Sequence, residues 1–479
     1  MASGPGAQRM PTMAFAWYLL RRRERVKSYG GIATPQRSRD ESMLAMHRTI
    51  ELNFLQIVAL IICVFLLQVG YTVHLSIAGA CFLVMLICAV RRLTPSALVL
   101  GSIGMMLIIL PIIFSPVNDS SYNPLLRSIR EALGFFVIVS LKNTRLVIGD
   151  KTHVRIRRAI SIVIVGLLLI TALQAIDLFT SRSGKFFMPY RFFPDTIDLK
   201  NCWTLASCWL EFGGAHGISV SIRPAATYAE PSYLGFVVLC LVFASQKVNS
   251  GNKTARNCII FLGFIAVLLA QTASGVISLA VFLFVANWKY LSKNISFIFF
   301  GVVFLVVSAL VLGARYDAIL DGSDQSSLIR LIYPLQAVGE VFSKGYIFGV
   351  PADYVPFVLK NSITGTEGLN GGTSDNALIN MFLLYGVSGF AILAILFLKM
   401  GFAEIVFLVL AMQFNGVIFN YDKVVMISLA LLLYHAHYQR RGDSESATLS
   451  RTLRYSAAPL VNEIPGKIAP QTVRTPGAT

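Results

Sequence analysis

The stretch KTHVRIRRAISIVIVGLLLITALQAIDLF, residues 151–179, decides the fold. Lys151, Arg155, Arg157 and Arg158 stand directly before an apolar run from 159 to 179, in which Asp177 is the one ionisable side chain. That run matches the roughly 20 residues a helix needs to cross a bilayer core. Lipid leaves open backbone groups unsatisfied, so the run must be helical. The basic residues mark its cytoplasmic end, where loops rich in Lys and Arg are retained during insertion.

The same alternation extends in both directions. Apolar spans read at 52–69, 73–90, 95–115, 125–141, 159–179, 230–246, 257–271, 275–288, 295–313, 376–398, 400–418 and 422–438. Arg91 and Arg92 follow the second span; Lys142 and Arg145 follow the fourth. Lys247, Lys253 and Arg256 follow the sixth, Lys289 and Lys293 the eighth, and Arg440 and Arg441 the last. The intervening short loops, around Tyr71, Thr272 and Tyr421, carry few or no Lys or Arg. Both termini then lie on the cytoplasmic side. The expected fold is all-α: a polytopic integral membrane protein with about twelve transmembrane helices. Two large loops, roughly 180–229 and 314–375, lie on the far side. The stretch 257–288 is one long apolar run broken by Gln271-Thr-Ala-Ser-Gly275. It reads as a tight helical hairpin, since a single helix would invert everything after it and put Arg440 and Arg441 outside. A transmembrane barrel would show alternating strands, and none reads.

Composition agrees. Hydrophobic residues make up 55% of the 479 and charged residues 14%, a balance unlike that of soluble domains. The net charge of +17 sits in short loops and tails, so it reports topology rather than nucleic-acid binding. The chain divides into a basic tail at 1–48, a transmembrane domain at 49–438 and a Ser/Thr/Arg-rich tail at 439–479, with both tails expected to be disordered and cytoplasmic. Ala14–Leu20 is too short for a signal core and is followed by Arg21, Arg22 and Arg23, so no cleaved signal is expected.

Function must then come from the far-side segments. The first holds Phe186, Phe187, Tyr190, Arg191, Phe192, Phe193, Trp203 and Trp209. Flat aromatic faces suit sugar rings, and they equally suit a membrane-interface belt. The second places Leu328, Leu331, Ile332, Leu335, Val338 and Phe342 at helical spacing, which predicts an amphipathic helix on the membrane surface or capping the spans. Arg127, Arg130 and Glu131 stand at the outer end of the fourth span, either snorkelling to the interface or binding lipid phosphate. The histidines form no metal cluster, and Asp195–Asp198 and Asp321–Asp324 read as solvated loop acids, so no metal is expected. Cys202 and Cys208 share the first far-side loop and are candidates for a disulfide if the loop turns between them. There is no P-loop, no GxSxG and no HExxH.

Three short patterns stand out. Arg223-Pro-Ala-Ala-Thr-Tyr-Ala-Glu230-Pro-Ser232 leads into the sixth span; Thr272-Ala-Ser-Gly275 sits between two apolar runs; Ser374-Asp375-Asn376, followed by Gly386-Val-Ser-Gly389, opens the tenth. Arg330, followed by Gly345-Tyr-Ile-Phe-Gly349, lies in the second long loop. Over roughly residues 50–438 the chain resembles the O-antigen ligase / Wzy polymerase family of bacterial envelope glycosyltransferases. Asp375 stands where the ligases have His, which favours the looser polymerase pattern. The resemblance implies an inverting, metal-independent glycosyltransferase in the bacterial inner membrane, acting on an oligosaccharide carried by undecaprenyl pyrophosphate at the periplasmic face. It implies arginines on the leaving pyrophosphate, for which Arg223 and Arg330 are the candidates, with Arg191 third. Glu230 and Asp375 are candidate bases for the acceptor hydroxyl, and each equally suits the start of a helix. Tyr228, Asn376, Trp203 and Trp209 are candidate substrate contacts. No cofactor is implied. The implied partners are the lipid-linked oligosaccharide and the bilayer, with a flippase and a chain-length or export protein alongside. A ligase and a lipid-linked oligosaccharide flippase remain the alternatives.

Overall fold

The computed structural model describes residues 51–70, 75–114, 124–142, 144–180, 185–188, 192, 223–288, 332–360, 373–374, 376–414 and 416–438. The chain divides into two units, Met1–Arg48 and Thr49–Thr479, and every described residue lies in the second.

The described residues are mostly helical. In order they form α1 (Phe54–Phe65), α2 (Ile77–Arg91), α3 (Pro95–Phe114), α4 (Pro124–Leu141), a two-residue strand β1 (Val147–Ile148) and α5 (Asp150–Thr180). Then come α6 (Pro231–Val248), α7 (Lys253–Leu269), α8 (Ala273–Ala286), α9 (Tyr333–Ser343), a 3-10 turn (Ala352–Tyr354) and α10 (Val355–Val358). Last are α11 (Ala377–Tyr385), α12 (Ser388–Phe397), α13 (Phe402–Ala411), α14 (Tyr421–His435) and β2 (His437–Tyr438). Of these, α3, α5 and α6 are long and apolar enough to cross a membrane by length and composition; α1, α2, α8, α12 and α13 are shorter apolar helices. The expected span at 295–313 and both tails lie outside the described residues.

Short polar caps start these helices. Asn53 accepts from the Gln56 amide while the Gln56 side chain accepts from the Asn53 amide, a reciprocal cap that opens α1. Ser76, Thr94 and Asn252 each accept from one amide in the first turn of α2, α3 and α7, and Pro231 occupies the first turn of α6, where a missing N–H costs nothing. Thr272 caps α8 directly after Gln271 turns into the left-handed region at φ 53°. The apolar run 257–288 is therefore two helices, as its polar break predicts.

Several spans differ from the sequence reading: the expected 52–69 and 400–418 are helical only over Phe54–Phe65 and Phe402–Ala411, and two others differ more deeply. The fifth begins at Asp150 rather than 159, because the basic segment ahead of it is helical and bonded: Thr152 accepts from the Leu52 amide, Arg155 donates to the Leu52 carbonyl, and the His153 ring bonds the Val248 carbonyl. The expected single span at 376–398 is two helices, α11 and α12, parted at Gly386 with φ 54°. The helix foreseen in the second far-side segment exists as α9, but it buries Pro334, Ala337 and Val341 and leaves Leu335 exposed. Leu328 and Leu331 lie outside the described residues.

The core sits around α6 and α14. Nearly every side chain of α6 from Ser232 to Ser245 is buried, as are Lys423–Ser428 and Ala430–Leu433 of α14. The two helices pack on each other, with α5, α7, α8 and α13 against α6, and α2 and α4 against α14. Phe243 stacks on Phe407 at 4.0 Å and on Tyr434 at 4.3 Å, joining α6, α13 and α14. Gly235 on α6 and Gly275 on α8 bring the two backbones together, since a methyl at Gly275 would stand 3.2 Å from the Gly235 Cα. At one end of the bundle β1 and β2 pair in parallel, Val147 with His437 and Ile148 with Tyr438. At that end Lys142, just past α4, donates to the Ile395 and Leu396 carbonyls at 2.5 and 2.8 Å. The sequence reading places Lys142 among the basic residues of the loop after the fourth span; it is buried, and it supplies a donor to the last carbonyls of α12.

Candidate active site

The opposite end gathers the motifs. Residues 223–230 are not helical, and Ala225, Ala226 and Tyr228 are nonetheless buried. Buried irregular backbone requires partners, and side chains provide them. Gln174 of α5 accepts from the amides of Ala225 and Ala226. Thr227 and Tyr228 donate their hydroxyls to the carbonyls of Phe65 and Val64, in the last turn of α1. The Ala229 amide donates to Gln68. This segment ends at Glu230, the residue before α6, whose Oε2 accepts from Ser232 at 3.0 Å. At its start Arg223 donates to the carbonyl of Gln271 at 3.3 Å, in the turn between α7 and α8. Contacts at their edges bring the first two sequence patterns near each other: Arg223 bonds Gln271, the residue before Thr272, and Gly235, three residues past Ser232, packs against Gly275.

A second cluster is built on Arg127 and Glu131, which the sequence reading gives as snorkelling or phosphate-binding, and adds Asp353 and Tyr385, which it does not single out. Arg127 in the first turn of α4 donates to Glu131 Oε1 at 3.2 Å and to Asp353 at 3.1 Å. The Tyr385 hydroxyl donates to Glu131 Oε2 at 2.7 Å. Glu131 is buried, so both its oxygens are held by donors, as a buried carboxylate requires. A small cavity opens beside these groups, walled by Pro111, Pro351 and Leu384. Asp353 reaches this position because the turn Gly345–Gly349 seats on the break between α11 and α12. Val387 donates to the Ile347 carbonyl at 2.9 Å and Val350 to the Leu383 carbonyl at 3.2 Å.

The start of α14 links the two clusters. Arg130, one turn from Arg127, donates to Asn420 at 3.4 Å and lies 5.8 Å from the Tyr421 ring centre; its Nε is buried without a hydrogen bond. Asp422 accepts from Gln68 at 3.1 Å, and Gln68 in turn holds Ala229. Lys423 is buried and donates to the Phe414 carbonyl. Asn376 caps α11 by accepting from Leu378 and Ile379, and donates to Gln413 at 3.1 Å, the residue beside Phe414. The cations of these clusters are Arg127, Arg130, Arg223 and Lys423, interleaved with Glu131, Glu230, Asp353 and Asp422. Among the described residues no three His, Cys, Asp or Glu side chains come together as a metal site.

The family model for the WcaD colanic acid polymerase matches residues 52–436. The chain belongs to that polymerase family. No curated protein and no solved structure matches it. As a member of the WcaD family it is a membrane protein of polysaccharide biosynthesis and a glycosyltransferase-type enzyme, with a lipid-linked oligosaccharide as substrate. Set against this family, the site residues named from the sequence fall into two groups. Arg223, Glu230, Tyr228 and Asn376 are described and stand at one end of the bundle, with Tyr228 and Asn376 engaged in anchoring and capping. Arg330, Asp375, Arg191, Trp203, Trp209, Cys202 and Cys208 lie outside the described residues.

Proposed function

We propose that this member of the polymerase family joins oligosaccharide repeat units carried on undecaprenyl pyrophosphate, at the periplasmic face of the bacterial inner membrane. The family match over residues 52–436 carries this reading. The alternating basic loops support about twelve crossings, cytoplasmic termini and far-side placement of the motifs.

In this reading a hydroxyl of one repeat attacks the anomeric carbon of the growing chain. The carbon–oxygen bond to undecaprenyl pyrophosphate breaks with inversion, and the hydroxyl proton passes to a carboxylate, Asp375 or Glu230. Negative charge develops on the departing pyrophosphate. Arg223 and Arg330, with Arg191 as a third candidate, stabilise it through paired N–H donors and take the part a metal plays elsewhere. Trp203 and Trp209 offer faces to the sugars. Asn376 orients the entry to α11, and Tyr228 fixes the segment between Arg223 and Glu230 rather than touching substrate.

Deletion of the gene followed by analysis of lipid-linked glycans tests the reading. Accumulation of single repeats on lipid is the expected result. Long chains retained on lipid would mean a ligase, and repeats confined to the cytoplasmic leaflet a flippase.

A further inference from the structure

Gln174 is a polar residue that an apolar helix has no intrinsic use for. It lies in α5, roughly 9 Å along the axis from the Thr180 end, and is fully buried. A side-chain amide offers two donor hydrogens and an oxygen with two lone pairs. Here every one of them is taken. The oxygen accepts from Ala225 at 2.9 Å and Ala226 at 2.8 Å; the nitrogen donates to the carbonyls of Ala226 at 2.7 Å and Phe186 at 3.0 Å. Phe186 stands just after α5 and Ala226 just before α6, so one side chain ties the outgoing limb of the first far-side segment to its returning limb. Ala226 is held at φ 54°, a conformation that a non-glycine residue keeps only where its surroundings impose it. Three residues before it is Arg223, and four after it Glu230.

We propose that Gln174 is a positioning residue of the transfer site, a clamp that sets Arg223 and Glu230 on one substrate; this rests on the function proposed above. Without it the Ala225 and Ala226 amides lose their partners and the segment leaves its buried path.

The test uses the full chain in lipid nanodiscs, with single lipid-linked repeats from the deletion strain as substrate. In Gln174→Leu, hydrogen exchange at Ala225 and Ala226 should quicken by about tenfold or more, because those amides lose their acceptor. Turnover, kcat, should fall by about tenfold with KM within about twofold, in protein that stays folded at the assay temperature even though the unpaired amides lower its thermal midpoint. Gln174→Glu keeps the accepting oxygen but loses the donor to Phe186 and Ala226, so it should retain slow exchange and show intermediate turnover. Unchanged exchange in the leucine variant would overturn the clamp. So would fast exchange with full turnover, or a loss of turnover that only follows loss of folded protein. Wild-type turnover in Arg223→Ala would instead overturn the transfer-site assignment, and the exchange data separate the two failures.

Discussion

Arg127 and Arg130 stand one turn apart on α4 yet keep different company. Arg127 is closed in by Glu131, Asp353 and, through Glu131, Tyr385. Snorkelling therefore does not describe it. Its removal would leave the buried Glu131 carboxylate with a single donor, so Arg127→Ala should cost about 3–5 kcal/mol, read as a lowered thermal midpoint of the purified protein. Asp353→Asn keeps an accepting oxygen and should cost far less. Equal losses in the two variants would mean that Glu131 does not depend on Arg127. The spacing of Arg127 and Glu131 as helical neighbours is visible in the sequence; Asp353 is not, because it comes from 226 residues further along the chain. Arg223 and Arg330 have a different test. Alanine at either should abolish polymer while the protein still reaches the membrane, and lysine should restore little, since a point charge lacks the paired donors of guanidinium. Full polymer in both alanine variants would remove them from the mechanism. For Asp375, asparagine preserves a helix cap but cannot take a proton at neutral pH, so Asp375→Asn should accumulate normally and make little polymer. Near-normal polymer from that variant would move the base to Glu230.

Among the elements, the break between α11 and α12 shows how far pattern reading reaches. Gly386-Val-Ser-Gly389 is legible as a motif, and the surrounding apolar run as a span. The cause of the break is not local: the carbonyl of Ile347 and the amide of Gly349 occupy the space a side chain at Gly386 would fill, and φ is 54°. Gly386→Ala should therefore destabilise by at least about 1–3 kcal/mol and reduce polymer, measured by thermal denaturation and glycan ladders. A normal midpoint would show that the turn from Gly345 to Gly349 yields instead. The opposite end offers a pH test. Burial, and secondarily Lys399, bring the Lys142 ammonium down to about 8. The unfolded chain holds that proton up to about 10.4, so between these values the unfolded state binds more protons and stability rises with pH. Below about 8 both states are charged and the burial cost stands in full. Relative to Lys142→Met, the wild-type midpoint should climb from about pH 7.5 to about 9.5; parallel curves would place Lys142 in water. Its basic neighbours are read together as a sign of topology, but no local pattern distinguishes the cation that caps α12 from those around it.

For the whole molecule, the hydropathy pattern anticipates most described helices because length and apolar content are local properties. It does not anticipate which helices form the centre, which depends on who packs on whom. The topology is open to a direct check. Reporter fusions at residues 150, 250 and 445 should read cytoplasmic and those at 205 and 345 periplasmic, as the basic loops require. A periplasmic signal at 445 would contradict the even number of crossings. The central place of α14 also has a consequence for how the protein is made. It is the last of the described helices to leave the ribosome, and it packs against α2, α4 and α6. Between the emergence of α6 and that of α14 lie roughly 10–40 s of synthesis at about 5–20 residues per second. Throughout that time Arg130 lacks Asn420, Gln68 lacks Asp422, and the apolar side chains that pack on α14 wait for it. A nascent chain of this design closes only when α14 arrives, and one stopped after Asn420 should insert, fail to close and be degraded.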